Sequence, residues 1–275
     1  MKILVADADE ETRLALVEAI TAAAPGAQVT EASNGAELRD ALAGAGPDIL
    51  FIDTILPDTD GRKVTAWREG AGARCVVVLV ADLLTSRWST VARLLDAYDV
   101  LLKPLSPRNV EHVLQAVPLL RRDLALLLVE PGERTREVAR QMLGATAFHF
   151  HVTEATDGRA AVRAARGQAF DLAIVGSAIP DMPATEAACR LDALGTGARI
   201  VIAGNAAEEP TAAQLSLFGV KAYLRMPFDA TDLDRMIYGI FGLWRPYLLE
   251  ALRSESLKRD AERVAAAQPR QIVYV

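Results

Sequence analysis

Thiols, imidazoles and clustered bases are all scarce in this chain. Its 275 residues include two cysteines and three histidines. Cys75 and Cys189 each stand alone beside apolar runs and read as small buried hydrophobes, not as a disulfide or redox pair. His112, His149 and His151 show no ligand spacing, and the last two alternate with Phe148, Phe150 and Val152 as in a strand, so a zinc site is not expected. The densest basic stretch, Arg253 to Arg263, interleaves acids with its bases, and the net charge is −6. Neither suits a nucleic-acid surface. No uninterrupted apolar run is long enough to span a bilayer. The opening "MKILVADADE" reads as a strand that turns acidic at once, unlike a signal peptide. The expectation is a soluble, cytoplasmic protein without nucleic-acid or membrane partners. No Gly-rich phosphate loop follows a first strand, no Gly-rich cyclase or ATPase motif is present, and the single helix near the C-terminus is too little for a helix-turn-helix unit.

What the chain does have is a repeat. "DILFIDTILPDTDG" (Asp48 to Gly61) returns as "DLAIVGSAIPDMPA" (Asp171 to Ala184), and "TEASNGAE" returns as "TEATDGRA". Asp53 and Gly176, Pro57 and Pro180, Pro104 and Pro227, and Arg13 and Arg136 are all 123 positions apart. A constant offset over this distance marks a tandem duplication of a whole domain, far longer than a solenoid unit.

Within the first copy, apolar runs at Lys2 to Ala6, "QVTEA", "DILFID", "CVVVLVA" and "DVLLK" read as strands. Between them, Glu10 to Ala24, "GAELRDALAGA", the region of Val64 to Glu69, Ser86 to Asp96 and Pro107 to Leu120 read as helices, the last one kinked or ended by Pro118. Near-continuous Val/Ile/Leu strands alternating with helices imply a parallel sheet buried on both faces. The predicted class is α/β, two doubly wound (βα)5 parallel-sheet domains in tandem. Boundaries are expected at 1–122 and 124–242, with a C-terminal helix and tail at 243–275. The helix is placed at Tyr247 to Ala267, carrying Leu248, Leu252 and Val264, and "QIVYV" beyond it reads as a terminal strand.

In such sheets chemistry collects beyond the carboxyl ends of the strands. Asp7 ends the first strand of copy one, Asp53 the third, and Lys103 the fifth, before Pro104. Two carboxylates and an ammonium in one crevice suit an oxyanion and a hard cation. Helix capping is the alternative for Asp7 or Asp9.

These segments, "ILVADAD", "DILFIDTILPDTDG" and "LLKPLS", resemble the acidic, phosphoacceptor and Lys-Pro loops of the receiver domain of two-component response regulators, a flavodoxin-like fold. The resemblance implies that Asp53 is the phosphoacceptor, supplied by a histidine kinase or phosphotransfer protein. It implies Mg²⁺ held by Asp7, Asp53 and the backbone carbonyl of Ile55, with Asp9 a further candidate, and Lys103 paired with the phosphoryl group. The second acid of the family is Ala8 here, so a weakened Mg²⁺ site is expected. The family's switch hydroxyl falls at Val80 and its switch aromatic at Val100, with Thr54 and Thr85 as the nearby hydroxyls.

In copy two the offset carries Asp7 to Glu130, Ala8 to Pro131, Asp53 to Gly176, Val80 to Ala203, Val100 to Tyr223 and Lys103 to Met226. Nucleophile and cation are lost together, which leaves no unpaired charge. Copy two thus reads as a pseudo-receiver. The expected function is that of a non-enzymatic response regulator without a DNA-binding or enzymatic output domain, a phosphoprotein that signals through protein contacts, with a homodimer or an unknown downstream protein as partner. The alternative is a phosphorylation-independent scaffold of two degenerate receivers.

Overall fold

A computed structural model of the chain describes residues 1–70, 74–82, 88–205, 207 and 209–248. The chain divides into two compact units, residues 1–117 together with the segment from Arg245, and Pro118–Trp244.

The first unit runs β1 (Lys2–Ala6), α1 (Glu10–Ala23), β2 (Gln28–Ala32), α2 (Gly35–Ala45), β3 (Ile49–Asp53), α3 (Gly61–Gly70), β4 (Val76–Ala81), α4 (Trp88–Leu94), β5 (Asp99–Leu102) and α5 (Pro107–Leu120). All pairings are parallel, in the order β2-β1-β3-β4-β5. The order reverses beside β1, which opens the crevice expected of a doubly wound sheet. Side chains along each strand alternate between two cores. Leu4, Ala6, Leu50 and Leu79 enter one, and Ile3, Val5, Phe51 and Val78 enter the other. Burial on both faces is the reason these strands read as continuous apolar runs.

The second unit repeats the plan, with β6 (Asp123–Val129), α6 (Glu133–Gly144), β7 (His149–Ala155), α7 (Gly158–Gly167), β8 (Leu172–Gly176), α8 (Ala184–Asp192), β9 (Arg199–Asn205), α9 (Ala212–Leu217), β10 (Val220–Met226) and α10 (Ala230–Ile240). Its sheet order is β10-β9-β8-β6-β7. The offset survives in the register: Asp53 lies opposite Val80, and Gly176 opposite Ala203. The strand β6 begins at Asp123, so only Arg121 and Arg122 separate it from α5, which continues past Pro118 to Leu120. Of the predicted C-terminal helix only Tyr247 and Leu248 are described, and both are helical. The remainder, with "QIVYV", lies outside the described residues.

One repeated residue fixes the start of each unit. The Arg13 guanidinium donates to the carbonyls of Asp7 (2.9 Å) and Ala8 (3.1 Å) and to Glu31 on β2 (3.3 Å). Arg136 does the same to Glu130 (2.8 Å), Pro131 (3.1 Å) and Glu154 on β7 (2.8 Å). Both side chains are largely covered, so these bonds satisfy carbonyls that the strand-to-helix turn leaves open. Replacing Arg136 with Ala is expected to destabilise the second unit by about 1.5–3 kcal/mol, the scale of hydrogen bonds to a charged group. Urea unfolding of the full chain should show this as an earlier midpoint for the second unit; an unchanged midpoint would sink this account.

Candidate functional site

The carboxyl ends of parallel strands share one edge of the sheet. Asp7 follows β1, Asp53 closes β3 and Lys103 follows β5. The sheet order sets Asp7 and Asp53 on neighbouring strands, while the long Lys103 side chain reaches over β4. Its Nζ lies 2.5 Å from Asp53 Oδ2 and 2.9 Å from Asp7 Oδ2, with Asp82 Oδ2 at 3.9 Å. Asp7 is 2% exposed and Asp53 9%.

The remaining carboxylate oxygens meet the backbone. Asp53 Oδ1 accepts the N–H of Ile55 at 2.6 Å, and Asp7 Oδ1 accepts that of Asp9 at 2.9 Å. Burial raises the pKa of Asp7, and the neighbouring charge of Asp53 adds to this; the bonds from Lys103 and the Asp9 N–H oppose it without cancelling it. For Lys103, burial works against the charge, but hydrogen bonds to Asp53 and Asp7 prevail and lift its pKa well above the ordinary lysine value. The ammonium is therefore fixed as a cation between two acids.

The other predicted residues fall as follows. Asp9 is the N-cap of α1, its exposed carboxylate accepting the Thr12 N–H (2.9 Å) and hydroxyl (2.6 Å). Ile55 adjoins the site through its backbone, with its side chain in solvent. Val80 and Val100 are buried core residues. Thr54 is half-buried and donates its N–H to Val80, whereas Thr85 lies outside the described residues. Two hard carboxylate donors fit Mg²⁺, an ion that keeps several of its own waters. Among the described residues no cluster of three or more acidic, His or Cys side chains could hold an ion. The fit is to a hydrated ion held by few side chains.

Sequence reading passed over two contributors. Asp82 follows β4 as an acid at a strand end, and that position was its signal. Gly35 follows the cap Asn34, whose side chain accepts from Ala36 and Glu37. A Cβ at Gly35 would stand 2.8 Å from the Thr59 side chain and 3.1 Å from the Asp58 backbone, so glycine lets the loop after Pro57 lie against α2. Its repeat, Gly158, meets Met182 in the same way.

In the second unit, Glu130 Oε1 accepts the Gly132 N–H at 2.9 Å. A Cβ on Gly176 would lie 2.7 Å from Glu130 Oε2. The glycine thus makes room for the longer acid, which occupies the space an aspartate at 176 would take. Ala203 and Met226, with Leu128, Ile174 and Phe228, line a small apolar cavity beside it. Tyr223 is half-buried against the core, its hydroxyl donating to Asn205 O at 2.9 Å.

Comparison with known proteins places these features. The family model described as the response regulator receiver domain matches residues 3–115 and again 126–238. The transcriptional regulatory protein GltR of Pseudomonas aeruginosa is 34% identical over 122 residues, covering 44% of this chain and 49% of the relative. The chain thus spans about half the length of that curated relative. Two solved structures, both described as two-component system response regulator/GGDEF domain proteins, are 19% identical with a TM-score of 0.62, covering 92% of this chain and 99% of the other. At that identity the likeness concerns the fold.

The three-charge cluster makes a non-additive prediction. Lys103→Met leaves two buried carboxylates facing each other and is expected to cost the first unit about 3 kcal/mol at neutral pH. Part of that loss should return in mild acid, where one carboxyl takes up a proton. Adding Asp53→Gly, which copies the second unit, should recover stability at neutral pH. Urea unfolding of both variants at two pH values checks this; a double variant weaker than Lys103→Met alone contradicts it.

Proposed function

The chain belongs to the response regulator receiver family, which it matches twice, and from that membership we propose that its first unit accepts a phosphoryl group on Asp53. The observation that carries the reading is the Lys103 ammonium set between Asp53 and Asp7 at 2.5 and 2.9 Å. The donor would be a histidine kinase or phosphotransfer protein. A carboxylate oxygen of Asp53 forms the new P–O bond as the P–N bond of the donor phosphohistidine breaks, and the departing imidazole takes up a proton. The Ile55 N–H holds Oδ1, so Oδ2, under Lys103, is the oxygen offered to phosphorus. Lys103 is then within reach of the phosphoryl oxygens and offsets their charge. Asp7, Asp53 and the Ile55 carbonyl would hold Mg²⁺, which when bound supplies further charge neutralisation at the phosphoryl group.

The second unit, with Glu130, Gly176, Ala203 and Met226 at the equivalent places, would have no phosphoacceptor role and would act as a pseudo-receiver offering surface. We assign output to protein contacts, through a downstream protein or a homodimer, rather than to catalysis or DNA binding, and place the protein in the cytoplasm. Consistent with that placement, no helix among the described residues is long and apolar enough to cross a membrane. A phosphorylation-independent scaffold is the second reading, favoured by the apolar Val80 buried opposite Asp53, where no hydroxyl answers a phosphoryl group.

Intact mass after incubation with Mg²⁺ and acetyl phosphate separates the two. One added phosphoryl group is expected on the unaltered chain and none on Asp53→Asn. No addition to either, with histidine-kinase donors equally inert, would favour the scaffold.

A further inference from the structure

The two units match in sequence at their edge strands but not in how those edges are guarded. β2 pairs only with β1, and β7 only with β6. Both strands end in Val-Thr-Glu-Ala. Upstream, the first unit has Pro25 and Gly26 where the second has Phe148 and His149, and β2 is five residues long against seven for β7. A short strand with proline beside it and an exposed charge on it resists edge-to-edge pairing. Glu31 on β2 supplies that charge, 45% exposed beside Arg13 at 3.3 Å. Its counterpart Glu154 is 30% exposed and is held by Arg136 at 2.8 Å and by Arg140 at 2.7 Å. Arg140 stands where the first unit has Val17. β7 itself contains no Pro, Gly or Lys.

The open side of β7 carries a regular row of backbone groups. Its register with β6 is unbroken from His149 to Ala155, with no bulge to turn the edge away. The Ala155 carbonyl accepts the Glu130 N–H, so in the alternation of a parallel ladder His149, His151 and Thr153 also turn their backbone groups to β6. Phe150, Val152 and Glu154 turn theirs outward, and among the described residues nothing bonds to those N–H and C=O groups. Their side chains share the face toward α6. Phe150 lies beside Phe148, with ring centroids 6.5 Å apart, and Glu154 meets the two arginines of α6. Phe150 and Val152 are half-buried.

We propose that β7 is an interaction surface for a second copy of this chain, the two β7 strands pairing antiparallel about a two-fold axis at Val152. A two-fold contact sets one patch against itself, so the patch must be self-complementary. Val152 is the middle of the three outward residues, and this register leaves none of them unpaired. Val152 meets its own counterpart and Phe150 meets Glu154, each pair exchanging both backbone bonds, about six bonds in all. No like charges stand opposite each other, since Glu154 faces Phe150 and His151 faces Thr153. The first unit does not offer the same row. Ala27, at the place of Phe150, precedes β2 and donates its N–H to the Ala24 carbonyl at 2.9 Å. The contact is independent of whether Asp53 takes up phosphate.

Sedimentation of the full-length chain from low to several hundred micromolar, with no phosphoryl donor present, tests it alongside hydrogen exchange at both extremes. The mass is expected to rise from monomer to dimer. The Phe150, Val152 and Glu154 amides should exchange about tenfold or more slowly at the high concentration, as mass action requires of bonds made only in the dimer. The His151 and Thr153 amides, bonded to β6, should be slow throughout. Val152→Pro removes an N–H that β6 does not use and sets a ring on the open edge, where strands accept proline. It is expected to keep the slow His151 and Thr153 amides and to stay monomeric. A parent chain monomeric at every concentration overturns the proposal. So does a dimer whose three outward amides keep their dilute rates, a comparison that needs no variant, or one that survives Val152→Pro.

Discussion

The first unit is organised around an ammonium that has no room to leave and two carboxylates that cannot do without it. Asp7 and Asp53 sit on adjacent strands under almost complete cover, where their mutual repulsion is poorly screened. Lys103 reaches them from two strands beyond β3, over the small and apolar end of β4. No member of the trio is tolerable alone, because a single buried charge without its partner costs several kcal/mol. The second unit shows the alternative solution. Gly176 and Met226 remove one charge of each sign, and the surviving acid, lengthened to Glu130, folds back onto the Gly132 N–H. The two units thus differ here by coordinated changes, not by one residue.

What both units retained is the frame that holds the crevice open. Arg13 and Arg136 tie the first loop of each sheet to the second strand through matched bonds. Gly35 and Gly158 bring a helix start against the loop after Pro57 or Pro180. The peptide bonds before Pro104 and Pro227 are both cis. None of these groups carries out chemistry in the proposed mechanism. They persist where Asp53 and Lys103 have no counterpart, so they serve the (βα)5 architecture itself.

Much of this was legible in the sequence. Strands buried on both faces announce themselves as Val/Ile/Leu runs, and the 123-residue offset extends into the strand register. The charged trio was readable because each member terminates a strand in a topology that gathers strand ends. Other features left no periodic trace. The capping role of Asp9, one of two open readings, is settled only by where its carboxylate points. The steric need for glycine at 35 depends on a loop more than 20 residues away, and sequence spacing does not encode that approach. The union of Leu248 with Asp99, whose carboxylate accepts the Leu248 N–H at 3.2 Å, was still less visible. An apolar residue at the start of an amphipathic helix says that it will be buried, but not in which of two similar cores.

That union changes how β5 is to be understood. The strand has four residues, about 13 Å of extended chain, and as an edge strand it pairs only with β4. At its amino end Asp99 holds the N–H groups of the segment from Arg245; immediately past its carboxyl end Lys103 holds Asp53 and Asp7. The equivalent places in the longer β10 (Val220–Met226) are Ala222, its third residue, and Met226, its last, both neutral. Both anchors of β5 are thus charged, and neither of their counterparts in β10 is. Lys103 therefore ties the short edge strand back across β4 to the two strands that carry Asp53 and Asp7.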